Sequence, residues 1–124
     1  MNRKIKLNDY QKKVGRILVD MLKHNKYATI TYGELAIKAV GKIRVAQSMG
    51  ATLGKISRFC DSECDLPMIS AIVCNKKLGI PSPGFYHLYQ KLKNDYNTPM
   101  NKAITQEQTK VQKADWNELK PYLE

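Results

Sequence analysis

Apolar positions recur along the first sixty residues with a helical period. Tyr10, Val14, Ile17, Leu18, Met21 and Leu22 share one face at i, i+4, i+7, i+8 spacing, which predicts a helix over 8–25. Asn8 or Asp9 can cap its start, and His24-Asn25 ends it. Thr29-Ile30-Thr31 is a short β-branched link. Thr31-Tyr32-Gly33-Glu34 then fits a capping box, opening a second helix with Leu35, Ala36, Ala39 and Val40 inward, until Gly41 stops it. A third helix is predicted over about residues 43–59. At 100° per residue, Ala46, Met49, Gly50, Leu53, Ser57 and Cys60 fall on its inner side, and Arg44, Gln47, Ser48, Ala51, Lys55 and Arg58 on its outer side.

Beyond it, Asp61-Ser62-Glu63-Cys64-Asp65 reads as an acidic loop ending at Pro67, and Met68 to Asn75 as a buried, β-branched strand. Lys76-Lys77-Leu78-Gly79 turns the chain. Two prolines and a glycine within Ile80 to Tyr86 argue against a helix there. Residues 93–113 are polar with no clear period, as in an extended crossing or a partly mobile segment. Asp115 to Leu119 starts a short closing helix with Trp116 on the core. The expected class is α+β: a winged helix-turn-helix-like three-helix core, a small β-hairpin as the wing and a short C-terminal helix. Residues 1–92 form the basic winged-helix-like domain, and 93–124 a polar extension packed on it.

At 124 residues the chain has room for one modest core. No apolar run approaches the roughly 20 residues of a membrane-spanning helix, and the charged start Met-Asn-Arg-Lys-Ile-Lys has no apolar stretch after it. A cytoplasmic protein without a membrane partner is expected. The odd set of Cys60, Cys64 and Cys74 suits a reducing compartment. With only His24 and His87 to add, and no close CxxC pair, the cysteines read as small hydrophobic residues; no metal or cofactor is expected.

Charge sharpens the picture. Residues 1–58 carry 13 Lys/Arg against Asp9, Asp20 and Glu34, a net of +10, whereas 59–124 carry eight of each sign. An excess confined to one half suggests a polyanion-facing surface, because each cation near a phosphate releases counterions. The outer side of the third helix has no acidic residue. Arg44, Lys55 and Arg58 can bracket a groove, Gln47 and Ser48 can face base edges, and Ala51 permits close approach. Lys76 and Lys77 sit where a wing tip touches a backbone.

Thr31 to Tyr86 resembles the DNA-binding C-terminal domain of the alkylguanine-DNA alkyltransferases and their alkyltransferase-like relatives. The family's Ser/Thr-Tyr-x-x-Leu-Ala helix start appears as Thr31-Tyr32-Gly33-Glu34-Leu35-Ala36. Its Arg-Ala-Val-Gly-x-Ala-Leu recognition helix corresponds to Gln47-Ser48-Met49-Gly50-Ala51-Thr52-Leu53, and its later Gly-x-Tyr to Gly84-Phe85-Tyr86. The resemblance covers a little under half the chain. It implies DNA binding, with Tyr32 contacting or rotating a phosphate. Aligned on Ala71-Ile72-Val73, the family's reactive cysteine falls at Ser70 and its His-Arg at Ala71-Ile72. The arginine it inserts into the duplex falls at Gln47, and its Asn-Pro hinge becomes Asp65-Leu66-Pro67. These departures imply a scaffold without alkyl transfer, and put base extrusion in question.

The expected function is therefore non-catalytic binding of duplex DNA. The alternative is a small inhibitor or adaptor of phage or mobile-element type, docking through residues 93–124 on a nucleic-acid enzyme or nucleoprotein, or facing a bound RNA. An enzyme would need Ser70, Cys74 or His87 to act, and the sequence offers them no acid–base constellation.

Overall fold

The computed structural model describes residues 5–42 and 48–124. Its elements are α1 (Asp9–His24), β1 (Ile30–Thr31), α2 (Tyr32–Val40), α3 (Met49–Cys64), β2 (Val73–Cys74), α4 (Pro83–Lys93) and α5 (Met100–Lys113). Single 3₁₀ turns occupy Ile69–Ile72, Trp116–Glu118 and Lys120–Leu123. The protein is α+β and mostly helical, and β1 and β2 pair as a small parallel sheet.

The two predicted helix starts form for the reasons the sequence offers. Asn8 accepts the Gln11 N–H at 2.8 Å while the Gln11 side chain accepts the Asn8 N–H at 2.9 Å. Thr31 and Glu34 make the same reciprocal pair at 3.1 Å each, and Gly41 ends α2 with φ of 74°, a conformation glycine adopts without strain. Val14, Leu18 and Leu22 carry α1 into the core. Val40, expected inward, is exposed instead, because α2 buries only Leu35, Ala36 and Ala39.

Met49, Leu53, Ile56, Ser57, Phe59 and Cys60 are the buried side of α3, close to the expected phase. Gly50 departs from it and is exposed. The helix outlasts its expected end: Asp61 to Cys64 form its last turn, and Asp65 caps it with φ of 52°. The segment read as a long strand is mostly the 3₁₀ turn at Ile69–Ile72, leaving two residues of β2.

The expected hairpin is absent among the described residues. β2 pairs in parallel with β1, Ile30 opposite Val73 and Thr31 opposite Cys74, with α2 and α3 as the crossover. After β2 a tight turn closes, with the Gly79 N–H on the Asn75 carbonyl at 2.8 Å and the Asn75 N–H on the Ile80 carbonyl at 2.7 Å. Pro81 and Pro83 have no N–H to give a returning strand. Pro83 instead takes the first position of α4, so Gly84, Phe85 and Tyr86 are helical, contrary to expectation.

Residues 100–113, read as aperiodic, are α5, which buries Ala103, Ile104, Glu107 and Val111. Ala103, Ile104 and Val111 join Trp116, Leu119 and Leu123 in one core with Leu18, Leu35 and Ile56. The Trp116 indole donates to the Val111 carbonyl at 2.9 Å. Leu123 packs over Gly15, where a Cβ would come within 2.8 Å of it. Lys12 donates to the Glu124 carbonyl at 3.3 Å, and Arg16 donates to that of Leu123.

Leu53→Ala should cost about 2–5 kcal/mol, because the side chain is buried in that core. Arg58→Ala, on the exposed side of the same helix, should stay within about 0.5 kcal/mol. Urea denaturation of both checks the phase of α3; the reverse ranking would invert it.

Candidate functional site

A cavity of about 380 Å³ opens where the N-terminal parts of α3 and α4 meet the start of α2. Gly50 and Gly54, one turn apart on α3, leave the space that side chains would fill. A Cβ at Gly50 would meet nothing within 4 Å, and one at Gly54 only Leu88, at 3.8 Å. Leu53, Phe85 and Leu88 give the cavity apolar walls, while Tyr32, Ser70 and Ser82 supply hydroxyls. Ala51, Lys55 and Arg58 complete the lining.

Four of the residues expected to contact nucleic acid, Tyr32, Ala51, Lys55 and Arg58, thus line one cavity. Ser48 lies exposed just before α3, and Lys76 and Lys77 are exposed in the turn after β2. The Glu34 carboxyl is held below its ordinary range by the Thr31 backbone and side-chain bonds, with Lys38 and Lys76 adding to the effect. Lys76 thus acts electrostatically on Glu34, which stands in the first turn of α2, two residues after Tyr32. Arg44 and Gln47 lie outside the described residues. Among the described residues the ion pairs are His24–Asp20, Lys93–Asp61, Lys93–Glu107 and Lys110–Glu107. Lys55, Arg58, Lys76 and Lys77 are in none of them.

Two hydroxyl pairs organise the polar side. The Tyr32 phenol accepts the Ser82 N–H at 2.9 Å and donates to Ser82 Oγ at 3.1 Å. Ser57, fully buried on α3, accepts the Ser70 N–H at 3.2 Å, and its Oγ lies 2.7 Å from Ser70 Oγ. Sequence reasoning missed Ser57, Ser82, Phe85 and Leu88. The readable signal was Gly50-x-x-x-Gly54, which strips one stripe of a helix of side chains.

The cavity floor is supported from behind. Glu107 of α5, with no exposed surface, accepts the Met68 N–H at 2.9 Å, and Gln108 donates to the Ala71 carbonyl at 3.0 Å. Lys93 lies 3.4 Å from the Glu107 carboxylate. The chain across Ser70 is thus held at both ends.

The cysteines stand apart from this geometry. Burial, with Cys64 next in effect, pushes the Cys60 thiol up to about 12. Burial also raises Cys64 and Cys74. No cluster of three or more His, Cys, Asp or Glu side chains is placed to hold a metal among the described residues. No helix there is long and apolar enough to cross a membrane. Comparison with family models, curated proteins and solved structures returns no match.

Alkylation of the native protein by iodoacetamide at pH 8 should modify half-buried Cys64 ahead of Cys60, since the thiolate is the reactive form. Peptide mapping over a time course checks this; Cys60 reacting first would contradict its burial.

Proposed function

We propose that the chain is a non-catalytic DNA-binding protein that sets the exposed side of α3 against a duplex and offers the adjoining cavity to a base turned out of the stack. The observation carrying this reading is that Lys55 and Arg58 rim the cavity with no carboxylate paired to them. Cations left free in this way are available to phosphates, and the cavity beside them is walled by apolar groups that suit the face of a base. Extruding a base costs a few kcal/mol in lost stacking and pairing, a cost smallest at damaged or mismatched positions.

The resemblance to the alkyltransferase domain agrees with this reading. Tyr32 and Ser70, matched to the family's helix-start tyrosine and reactive cysteine, line the same cavity. On this reading the fold acts as a variant winged helix-turn-helix, with the Lys76-Lys77 turn in place of a wing. Ser70 Oγ faces the alcohol of Ser57. An alcohol cannot retain a proton taken from serine at neutral pH, so this pair favours binding over transfer chemistry.

Binding to a labelled random duplex, followed by anisotropy, should weaken with salt at a log–log slope of roughly −3 to −6. Lys55→Ala and Arg58→Ala should each reduce that slope by about one. Absence of binding at low salt would overturn the proposal and favour the adaptor alternative.

A further inference from the structure

The proton count at the cavity floor says what kind of occupant it favours. Ser57 Oγ accepts the Ser70 N–H, and its other hydrogen-bond partner is Ser70 Oγ. Ser57 has 0% exposure, so its own proton cannot go to water. A buried hydroxyl proton without an acceptor is costly, which directs it onto Ser70 Oγ. Ser70, 6% exposed and lining the cavity, is then left with a proton and no protein acceptor for it. Ser82 is arranged in the same way: its N–H goes to the Tyr32 phenol, whose proton goes back to Ser82 Oγ. In both pairs a neighbouring hydroxyl takes the serine's N–H and occupies its oxygen, leaving a donor on an otherwise apolar wall.

Resting on the proposed base-accepting role of the cavity, we infer that Ser70, its proton turned outward by Ser57, is a specificity-determining donor that selects a carbonyl-bearing nucleobase over an apolar ring of the same shape. The main-chain supports from Glu107 and Gln108 on either side of Ser70 limit its retreat from an occupant lacking an acceptor. Such an occupant would leave the donor buried and unmet.

The test compares duplexes with either thymine or difluorotoluene, its carbonyl-free isostere, opposite an abasic site, and the two free nucleosides as a second arm. The wild-type protein should prefer the thymine duplex by about tenfold, the worth of one hydrogen bond. In Ser70→Ala the ratio should fall to about one. In Gly50→Leu, which fills the cavity from its open side, the ratio should fall likewise. Using the ratio within each variant cancels any general loss of affinity, and thermal melting confirms that each is folded. A wild-type ratio near one, or a ratio that survives Ser70→Ala, would overturn the inference while leaving duplex binding intact. Failure to bind any duplex, with a Ser70-dependent preference for free thymidine, would overturn the DNA reading and keep the inference. No preference in either arm would overturn the inference.

Discussion

A carboxylate removed from water needs donors around it, and Glu107 meets that need on one oxygen: Oε2 takes the Met68 N–H and lies 3.4 Å from Lys93. Its Oε1 has no hydrogen bond among the described residues and only Lys110 near it, at 3.9 Å. The segment Glu107 holds has few other means of staying in place. Residues Ile69–Ile72 run as a 3₁₀ turn and not as a strand, so they lack a ladder of backbone bonds. Glu107 fastens the start of that turn and Gln108 its far side, at Ala71. Ser70 lies between the two. α5 therefore decides where the cavity floor sits, although the helix does not line the cavity itself.

The two-residue parallel sheet supplies the other constraint. Pairing Ile30 with Val73 and Thr31 with Cys74 places the start of α2 level with the end of the Ser70 turn. Tyr32 follows β1 directly, and its phenol reaches Ser82, fifty residues on. A parallel pair needs a long crossover, and here that crossover includes α3 with Gly50, Gly54, Lys55 and Arg58. So short a sheet contributes little stability of its own. Its effect is to bring one end of α2, one side of α3 and the N-terminus of α4 around a common space.

How far the sequence could be read follows from where each signal lay. The caps of α1 and α2 were legible because they are local: a side chain and a backbone N–H three residues apart define them. The buried side of α3 was legible through its period. α4 was not, since its prolines were weighed as helix breakers, whereas Pro83 sits where no intrahelical N–H is needed. α5 was hidden by Glu107, a charged residue at an inward position of the Ala103, Ile104, Val111 stripe. The hydroxyl pairs join residues 13 and 50 positions apart, and no local pattern announces them. Lys55 and Arg58, which line the cavity, could be named in advance, but the cavity beside them could not.

The charge order along α3 bears on how a polyanion would lie on it. Helices gain about 0.3–1 kcal/mol from a cation near the C-terminus and lose by a carboxylate there. α3 ignores this preference: Asp61 and Glu63 lie in its last turns, while Lys55 and Arg58 lie earlier. At 1.5 Å per residue, Lys55 and Glu63 are about 12 Å apart along the axis, about one and a half Debye lengths in physiological salt. Asp61, closer to Arg58, is itself paired with Lys93 at 3.6 Å, so the basic and acidic stretches of the helix keep fields of opposite sign. On the proposed reading, a phosphate chain would be drawn to the stretch around the cavity mouth and repelled beyond Ser62, so the acidic end that costs the helix some stability would set the limit of its anion-facing surface.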